Sequence, residues 1–194
     1  MLYLMRHGQT DFNKEHRLQG GTDIPLNDTG RQMARDASEK FKDIHFDICF
    51  TSPLSRARET AKIFLEGREV PVVVDERMKE MGFGKFEGCF GRELKPEDSV
   101  YVLMNEPQNY VPADGSESFE SIYGRLVAFL NEKVRPEILA GKDVLIVGHG
   151  TVNLCIANIF DNTPMEHFWD GIMRNCDVVA VDPEVLKNPV KSPF

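Results

Sequence analysis

The chain has 194 residues and a formal net charge of −8, from 23 Lys and Arg against 31 Asp and Glu. An acidic chain without a basic run is a poor electrostatic match for nucleic acid or for an anionic membrane surface. No apolar stretch approaches the length of a membrane span, the start lacks a secretory-signal pattern, and the length favours one domain. We therefore expect one domain over residues 1–194, with neither nucleic acid nor membrane as a partner.

Short apolar runs bounded by turn residues predict five strands. They occupy residues 2–5, 46–50, 70–74, 144–147 and 178–181. The run at 144–147 is apolar on both faces, which is typical of a central strand. Pro71 in the third run indicates an edge position.

Four longer helices are predicted between these strands from apolar residues at helical spacing. Their predicted starts are, in chain order, Asn27 or Asp28, the stretch Thr51-Ser52-Pro53, Ser116 or Ser118, and Thr151. Pro136 predicts a bend near the end of the third and longest helix. Residues 93–115 predict a cap-like excursion with one short helix, and the Pro-containing tail after residue 181 is predicted to be poorly ordered. The alternation of strands and helices predicts an α/β fold: a three-layer α/β/α sandwich with a mainly parallel central sheet.

The four cysteines are widely spaced and form no Cys-x-x-Cys pair. Cys49 and Cys155 lie in apolar patterns, which indicates core thiols and a reducing, cytoplasmic location. A zinc site is the weaker interpretation, because the paired spacing of zinc ligands is missing.

Cationic and imidazole side chains follow three of the predicted strands. Arg6 and His7 end the first strand, His149 ends the fourth, and Arg56 lies in the first turns of the helix after the second. Because the carboxyl ends of parallel strands share one edge of the sheet, these side chains can converge there. Planar guanidinium groups and helix N-termini suit a bound phosphate. The alternative is coincidence, since strand ends are polar in any α/β protein.

These motifs resemble the histidine phosphatase superfamily, also called phosphoglycerate-mutase-like. The matching stretches are Arg6-His7-Gly8-Gln9-Thr10 with Asn13, Thr51-Ser52-Pro53-Leu54-Ser55-Arg56-Ala57 with Thr60, Glu80-Met81-Gly82-Phe83-Gly84-Lys85-Phe86-Glu87-Gly88, and Gly148-His149-Gly150. Residues 20–30 and 115–118 match weaker signatures. Together the matches follow the family's order across most of the chain.

The resemblance implies a role for each matching residue. His7 would be the nucleophile that forms a phosphohistidine, and Glu80 would be the proton donor. The phosphoryl oxygens would be held by Arg6, Arg56 and His149, with Asn13 as a further donor. Gln19 and Gly20 match a loop that borders the substrate in some members.

The residue types fit phosphoryl transfer through a histidine without a metal or another cofactor. A neutral imidazole can attack phosphorus when a backbone carbonyl accepts a bond from its other ring nitrogen. Arginines and a second, protonated histidine would stabilise the equatorial oxygens. Glu80, kept protonated beside a phosphate dianion, would protonate the leaving alkoxide and later deprotonate water. Glu87 is the alternative acid, although it matches a structural position of the family.

We therefore expect a histidine acid phosphatase-like phosphomonoesterase of the phosphatase branch, acting on a small phosphorylated metabolite. α-Ribazole phosphatases and broad-specificity phosphatases are both compatible relatives, and no oligomeric state is indicated. Two other hypotheses stay open. One is a phosphoglycerate mutase, and the other is a non-catalytic module that binds a phosphate ligand or a protein.

Overall fold

A five-stranded sheet forms the centre of the computed structural model, which describes residues 1–194. In chain order its strands are β1 (Leu2–Arg6), β2 (Ile48–Thr51), β3 (Val72–Val74), β4 (Val144–Gly148) and β5 (Val178–Val181). Their order across the sheet is β3-β2-β4-β1-β5, and β5 alone runs antiparallel to its neighbour. The predicted central position of β4 and the predicted edge position of β3 are therefore confirmed.

Helices cover both faces of this sheet. The α-helices are α1 (Asp11–Lys14), α2 (Asp28–Lys40), α3 (Ser55–Phe64), α4 (Ser99–Asn105), α5 (Phe119–Phe129), α6 (Arg135–Leu139) and α7 (Gly150–Asp161). Short 3-10 helices lie at Glu76–Met78, Gly84–Phe86, Gly91–Glu93, Pro107–Asn109, Met165–His167 and Pro183–Lys187.

Alternate residues along each strand enter two separate apolar clusters. Met5 and Leu145 belong to a cluster that contains the buried residues of α2 and α3. Leu4 and Ile146 point to the opposite face, where they join the buried residues of α5 and α7. Because successive strand side chains point to opposite faces, one sheet holds both helical layers, and the predicted three-layer α/β/α sandwich is confirmed. Cys49 and Cys155 are buried, one in each cluster, which confirms their prediction as core thiols.

The carboxyl ends of β1, β2 and β4 lie side by side. Arg6 is in register with Gly148, and the backbone N–H of His7 donates to the Gly148 carbonyl at 3.0 Å. The N–H of Ser52 donates to the Val147 carbonyl at 3.4 Å from the other side. The residues that follow these three strands are therefore neighbours in space.

Two predicted helix starts are confirmed and two are wrong. The Asn27 and Ser118 side chains cap α2 and α5, accepting bonds from the residues three positions on. Thr51 is still part of β2, and Ser52, which precedes Pro53, is in a position that favours an extended backbone. Leu54 is also extended, so α3 begins only at Ser55. The N-cap position of the helix after β4 is His149, whose side chain makes no capping bond, and Thr151 lies inside the first turn.

The predicted bend near Pro136 has a defined form. After α5 the chain continues as a π-helical turn, Leu130–Val134, and then as α6. A proline removes one N–H donor from the helical ladder, and a widened turn is one way to absorb that loss.

The excursion and the tail both pack on the rest of the chain. Residues 93–115 contain α4 and a 3-10 turn, and Leu103 is fully buried while its carbonyl accepts from Trp169 Nε1 at 2.7 Å. The prediction of a poorly ordered tail is wrong. Leu186 is fully buried, and the ring of Phe194 stacks on Phe119 with centroids 5.5 Å apart, so apolar contacts outweigh the local effect of the prolines.

Candidate active site

His7 is held by the turn that follows β1. Its ring is buried, and Nδ1 lies 2.7 Å from the carbonyl oxygen of Gly8. Burial, followed by the charges of Arg56 and Arg6, holds the pKa of His7 well below its ordinary value. The imidazole is therefore neutral near pH 7, and only a protonated Nδ1 can donate to a carbonyl. This leaves the lone pair on Nε2.

His7 borders a cavity of about 180 Å³ at the carboxyl edge of the sheet. Its polar and glycine lining consists of Arg6, His7, Arg17, Gln19, Gly20, Arg56, Glu80, Gly150 and Thr151. Its apolar lining consists of Leu18, Phe83, Met104, Trp169 and Ile172. The cavity thus combines cations, a neutral imidazole and a carboxyl group with one apolar side.

Arg6 and Arg56 bring two guanidinium groups to this cavity. Arg6 Nη1 donates to the Met173 carbonyl at 2.7 Å, while Arg6 Nε is buried and has no acceptor. Burial lowers the pKa of both arginines, and the nearby Glu80 carboxylate opposes that effect. A buried donor without an acceptor favours an anion at this place.

Arg56 also holds the loop that follows α1. Its Nη1 and Nη2 donate to the carbonyls of Thr22 and Gly20 at 2.7 and 2.8 Å, and its Nε donates to His149 Nδ1 at 3.3 Å. The side chain is fully buried. Each terminal nitrogen keeps one further N–H, so the same guanidinium can order the loop and bind an anion.

His149 does not line the cavity. Its ring centroid is 5.2 Å from that of His7. Because Nδ1 accepts from Arg56, the proton is on Nε2, which donates to Ser52 Oγ at 2.7 Å. Burial and then the charge of Arg56 hold the pKa of His149 well below its ordinary value. These contacts describe a neutral His149, in contrast to the expected protonated second histidine.

Glu80 lies at the N-terminus of α7. Its Oε1 accepts from the backbone N–H groups of Met81 and Val152 at 2.9 and 3.2 Å, and its Oε2 accepts from Thr151 at 3.2 Å. These donors fix the carboxyl group in the wall of the cavity that contains His7. A group in this position can exchange a proton with a ligand bound there.

Glu87 has a different environment. Its Oε1 accepts from the backbone N–H groups of Gly21 and Phe83 at 2.8 and 3.0 Å, and its Oε2 accepts from the Thr22 hydroxyl. Glu87 does not line the cavity with His7. It ties the loop around Gly21 to the segment 83–87, which agrees with a structural role.

The remaining predicted residues divide into two groups. Gln19 and Gly20 line the cavity, with Gln19 Oε1 accepting from Thr10 Oγ1 at 2.8 Å. Gly20 has φ +52°, and a Cβ there would overlap Glu87 Oε1, so this position requires glycine. Asn13 does not line the cavity, and its Oδ1 accepts from the Thr10 N–H at 3.2 Å in the cap of α1.

Ser52, Arg17 and Trp169 are among the residues of the site that were not predicted as parts of it. Ser52 was assigned to a helix cap, and its real partner, His149, is 97 positions away. Arg17 stood in a polar loop, and Trp169 had no signal that linked it to the other motifs. No group of three or more His, Cys, Asp or Glu side chains is arranged to hold a metal ion.

The fold and this site define a known class of protein. Residues 2–191 match the family model of the histidine phosphatase superfamily (branch 1), and the chain belongs to that family. The 2,3-bisphosphoglycerate-dependent phosphoglycerate mutase 2 of Gloeobacter violaceus is 32% identical over 188 residues, covering 94% of this chain and 85% of that protein. The uncharacterized phosphatase PhoE of Bacillus subtilis is 41% identical over 147 residues, covering 76% of this chain and 70% of that protein.

A solved structure shares this fold. YhfR from Bacillus stearothermophilus superimposes with a TM-score of 0.82 at 33% identity, covering 93% of this chain and 91% of that one. The relatives thus carry names of both mutases and phosphatases. No helix in the structure is long and apolar enough to span a membrane.

Proposed function

We propose that this chain is a phosphomonoester hydrolase that works through a phosphohistidine on His7. The observation that carries the proposal is the state of the His7 ring. It is neutral, its Nδ1 proton is donated to the Gly8 carbonyl, and its Nε2 lone pair is available at a cavity that Arg6 and Arg56 also line. A neutral imidazole fixed in one tautomer is the form that attacks phosphorus.

In the first half-reaction, the Nε2 lone pair forms a bond to phosphorus and the ester P–O bond breaks. The bond electrons go to the leaving oxygen, which takes the proton of the Glu80 carboxyl group. The residual N–H groups of Arg6 and Arg56 are suited to stabilise the equatorial oxygens.

In the second half-reaction, a water molecule attacks the phosphorus of the phosphohistidine. The Glu80 carboxylate takes a proton from this water, the P–N bond breaks, and its electron pair returns to Nε2. The products are inorganic phosphate, the free enzyme and a protonated Glu80, ready for the next cycle. His149 accepts a hydrogen bond from Arg56 and donates one to Ser52. These two contacts would keep the Arg56 guanidinium in place.

The substrate class follows from the size and lining of the site. A cavity of about 180 Å³ with an apolar side suits a small phosphorylated metabolite. We further propose that the reaction needs no metal, because the arginines supply the charge stabilisation. α-Ribazole phosphate and a broad range of small phosphomonoesters are both consistent with this site.

The test is the hydrolysis of p-nitrophenyl phosphate by wild type and by His7→Ala, with and without EDTA. We expect the wild-type protein to hydrolyse p-nitrophenyl phosphate at a rate that EDTA leaves unchanged. In His7→Ala the rate of hydrolysis should fall by at least ~10³-fold. The control is Glu87→Gln, which changes a carboxyl group outside the cavity and should keep most of the activity. Turnover by His7→Ala at a wild-type rate would exclude His7 as the nucleophile.

A phosphoglycerate mutase is the second candidate. The observation in its favour is the mutase of Gloeobacter violaceus, which matches 94% of this chain. A mutase must keep the phosphorylated enzyme away from water for longer than a phosphatase does. Conversion of 3-phosphoglycerate with a bisphosphoglycerate primer, faster than release of inorganic phosphate, would select the mutase.

A further inference from the structure

Arg17 is a cation of the cavity wall that the proposed reaction does not use. Its guanidinium carbon lies 5.0 Å from the ring centroid of Phe12 and 4.8 Å from that of Phe90. Its backbone N–H donates to the Phe12 carbonyl at 2.8 Å, and residue 17 forms an isolated β-bridge with residue 90. Two aromatic rings and the backbone thus fix the guanidinium group before any ligand binds.

The N–H groups of Arg17 have no acceptor within the protein. Nε is buried and makes no hydrogen bond. Glu15 Oε2 comes within 3.5 Å of Nε without hydrogen-bond geometry, and the Glu15 side chain is half exposed, so this ion pair is weak. A guanidinium group that stacks on two rings, makes no hydrogen bond within the protein and forms part of a cavity wall is suited to bind an oxyanion.

This site is separate from the one that would hold the transferred phosphoryl group. Arg6 ends β1 and His7 follows it, while Arg56 is bonded to His149 and to the carbonyls of Gly20 and Thr22. Arg17 follows α1 and is held by Phe12 and Phe90, so a different set of contacts places it in the cavity wall. The neighbouring wall there includes Leu18, which follows Arg17 directly.

We propose that Arg17 binds a second oxyanion, a carboxylate or a second phosphate or phosphonate, carried by the leaving group of the phosphomonoester. This inference rests on the proposed function, because it names the part of the substrate that Arg17 recognises. The apolar lining from Met104, Trp169 and Ile172 would contact the carbon skeleton between the two anionic groups. The preferred substrate is then a phosphomonoester with an anionic leaving group.

The experiment compares matched aryl phosphates. 4-Carboxyphenyl and 4-phosphonophenyl phosphate carry the second anion, and 4-carbamoylphenyl phosphate is the neutral isostere; the 3-substituted isomers vary the reach. For wild type we expect kcat/KM to favour at least one anionic substrate over its neutral isostere by at least about tenfold. The relative rates of the carboxylate and the phosphonate show which oxyanion fits.

The variants test whether Arg17 causes this preference. In Arg17→Met the ratio of kcat/KM for the anionic substrate to kcat/KM for its neutral isostere should fall close to one. Arg17→Lys keeps the charge but loses the planar guanidinium group, so its ratio should be intermediate. Arg92→Met is the matched control, because Arg92 also stacks on Phe90, at 4.6 Å, but is exposed and outside the cavity. Arg92→Met should keep the wild-type preference.

The outcomes separate the two proposals. If wild type hydrolyses none of these esters, the proposed function fails and the inference fails with it. If wild type hydrolyses them without preference, or if Arg17→Met lowers kcat/KM equally for both classes, the assignment of Arg17 to the leaving group is wrong and the proposed function stands. Should Arg17→Met not fold, an unchanged preference in Arg17→Lys overturns the assignment.

Discussion

Gly30→Ala tests the contact that positions the His7 turn against α2. Gly30 lies in the first turn of α2, where alanine normally stabilises a helix by up to about 1 kcal/mol relative to glycine. Here a Cβ would overlap the Gln9 carbonyl oxygen and lie 2.6 Å from the Gln9 nitrogen. Both groups are backbone atoms, which cannot rotate away.

The overlap should outweigh the gain in helix propensity. Overpacking of a closed contact costs about 1–3 kcal/mol, and the backbone nature of this one places it at the upper end. We expect a net loss of about 2 kcal/mol in the free energy of unfolding, which corresponds to a Tm lower by about 4–8 °C in a domain of this size. Because Gln9 follows Gly8, whose carbonyl fixes the His7 tautomer, kcat should also fall by about tenfold or more.

The assay is urea denaturation together with hydrolysis of p-nitrophenyl phosphate. Gly124→Ala is the matched control, since Gly124 lies within α5 and a Cβ there meets nothing within 4 Å. That variant should be more stable by about 0.5–1 kcal/mol and fully active. A Gly30→Ala protein that is as stable and as active as Gly124→Ala would refute the reasoning.

Three further predictions concern carboxyl and imidazole groups. Glu87→Ala should lower the free energy of unfolding by about 2–3 kcal/mol in urea, because three donors lose their acceptor; a change below ~0.5 kcal/mol would contradict the structural role. Glu80→Gln should release one equivalent of nitrophenol from p-nitrophenyl phosphate in a burst and then turn over slowly. Nitrophenolate leaves with little need for a proton, whereas the water that attacks the phosphohistidine needs a base; a steady rate without a burst would argue against Glu80 as that base. His7 and His149 have folded pKa values below the ordinary 6.5, so the unfolded chain takes up their protons first as the pH falls. The free energy of unfolding should therefore decrease below about pH 6.5, by at most ~1.4 kcal/mol per pH unit for each ring, and His149→Gln should flatten the slope; an unchanged slope would mean that His149 is not buried in its neutral form.

The sequence predicts the sheet and its functional edge because the signal there is local. The apolar runs before Arg6 and before His149 have the length of strands, and parallel strands bring their carboxyl ends together whatever the loops do. The five strands, the three layers and the convergence of His7, His149 and Arg56 follow from that.

Long-range contacts explain what the sequence does not predict. A hydroxyl that accepts an N–H bond is the local signature of a cap, and Ser52 has it, since Leu54 N donates to Ser52 Oγ at 3.3 Å. Its bond to His149, however, depends on the pairing of β2 with β4. The neutral state of His149 has the same origin, because it comes from burial against Arg56, a residue 93 positions away.

Asn13 shows a competition between two uses of one side chain. The family motif assigns it to the phosphate, whereas the local sequence Thr10 to Asn13 forms a capping box that occupies its Oδ1. Its Nδ2 has no protein acceptor, so its role as a phosphate donor stays a prediction.

The most direct measurement of the central claim is the location of the phosphoryl group during turnover. Glu80→Gln is mixed with p-nitrophenyl phosphate, quenched in base, in which phosphohistidine is stable, and digested for mass spectrometry. We expect close to one phosphoryl group per chain, on the peptide that contains His7, and its loss on brief acid treatment. A phosphoryl group on His149, or a chain that turns over substrate without ever carrying phosphate, would contradict it.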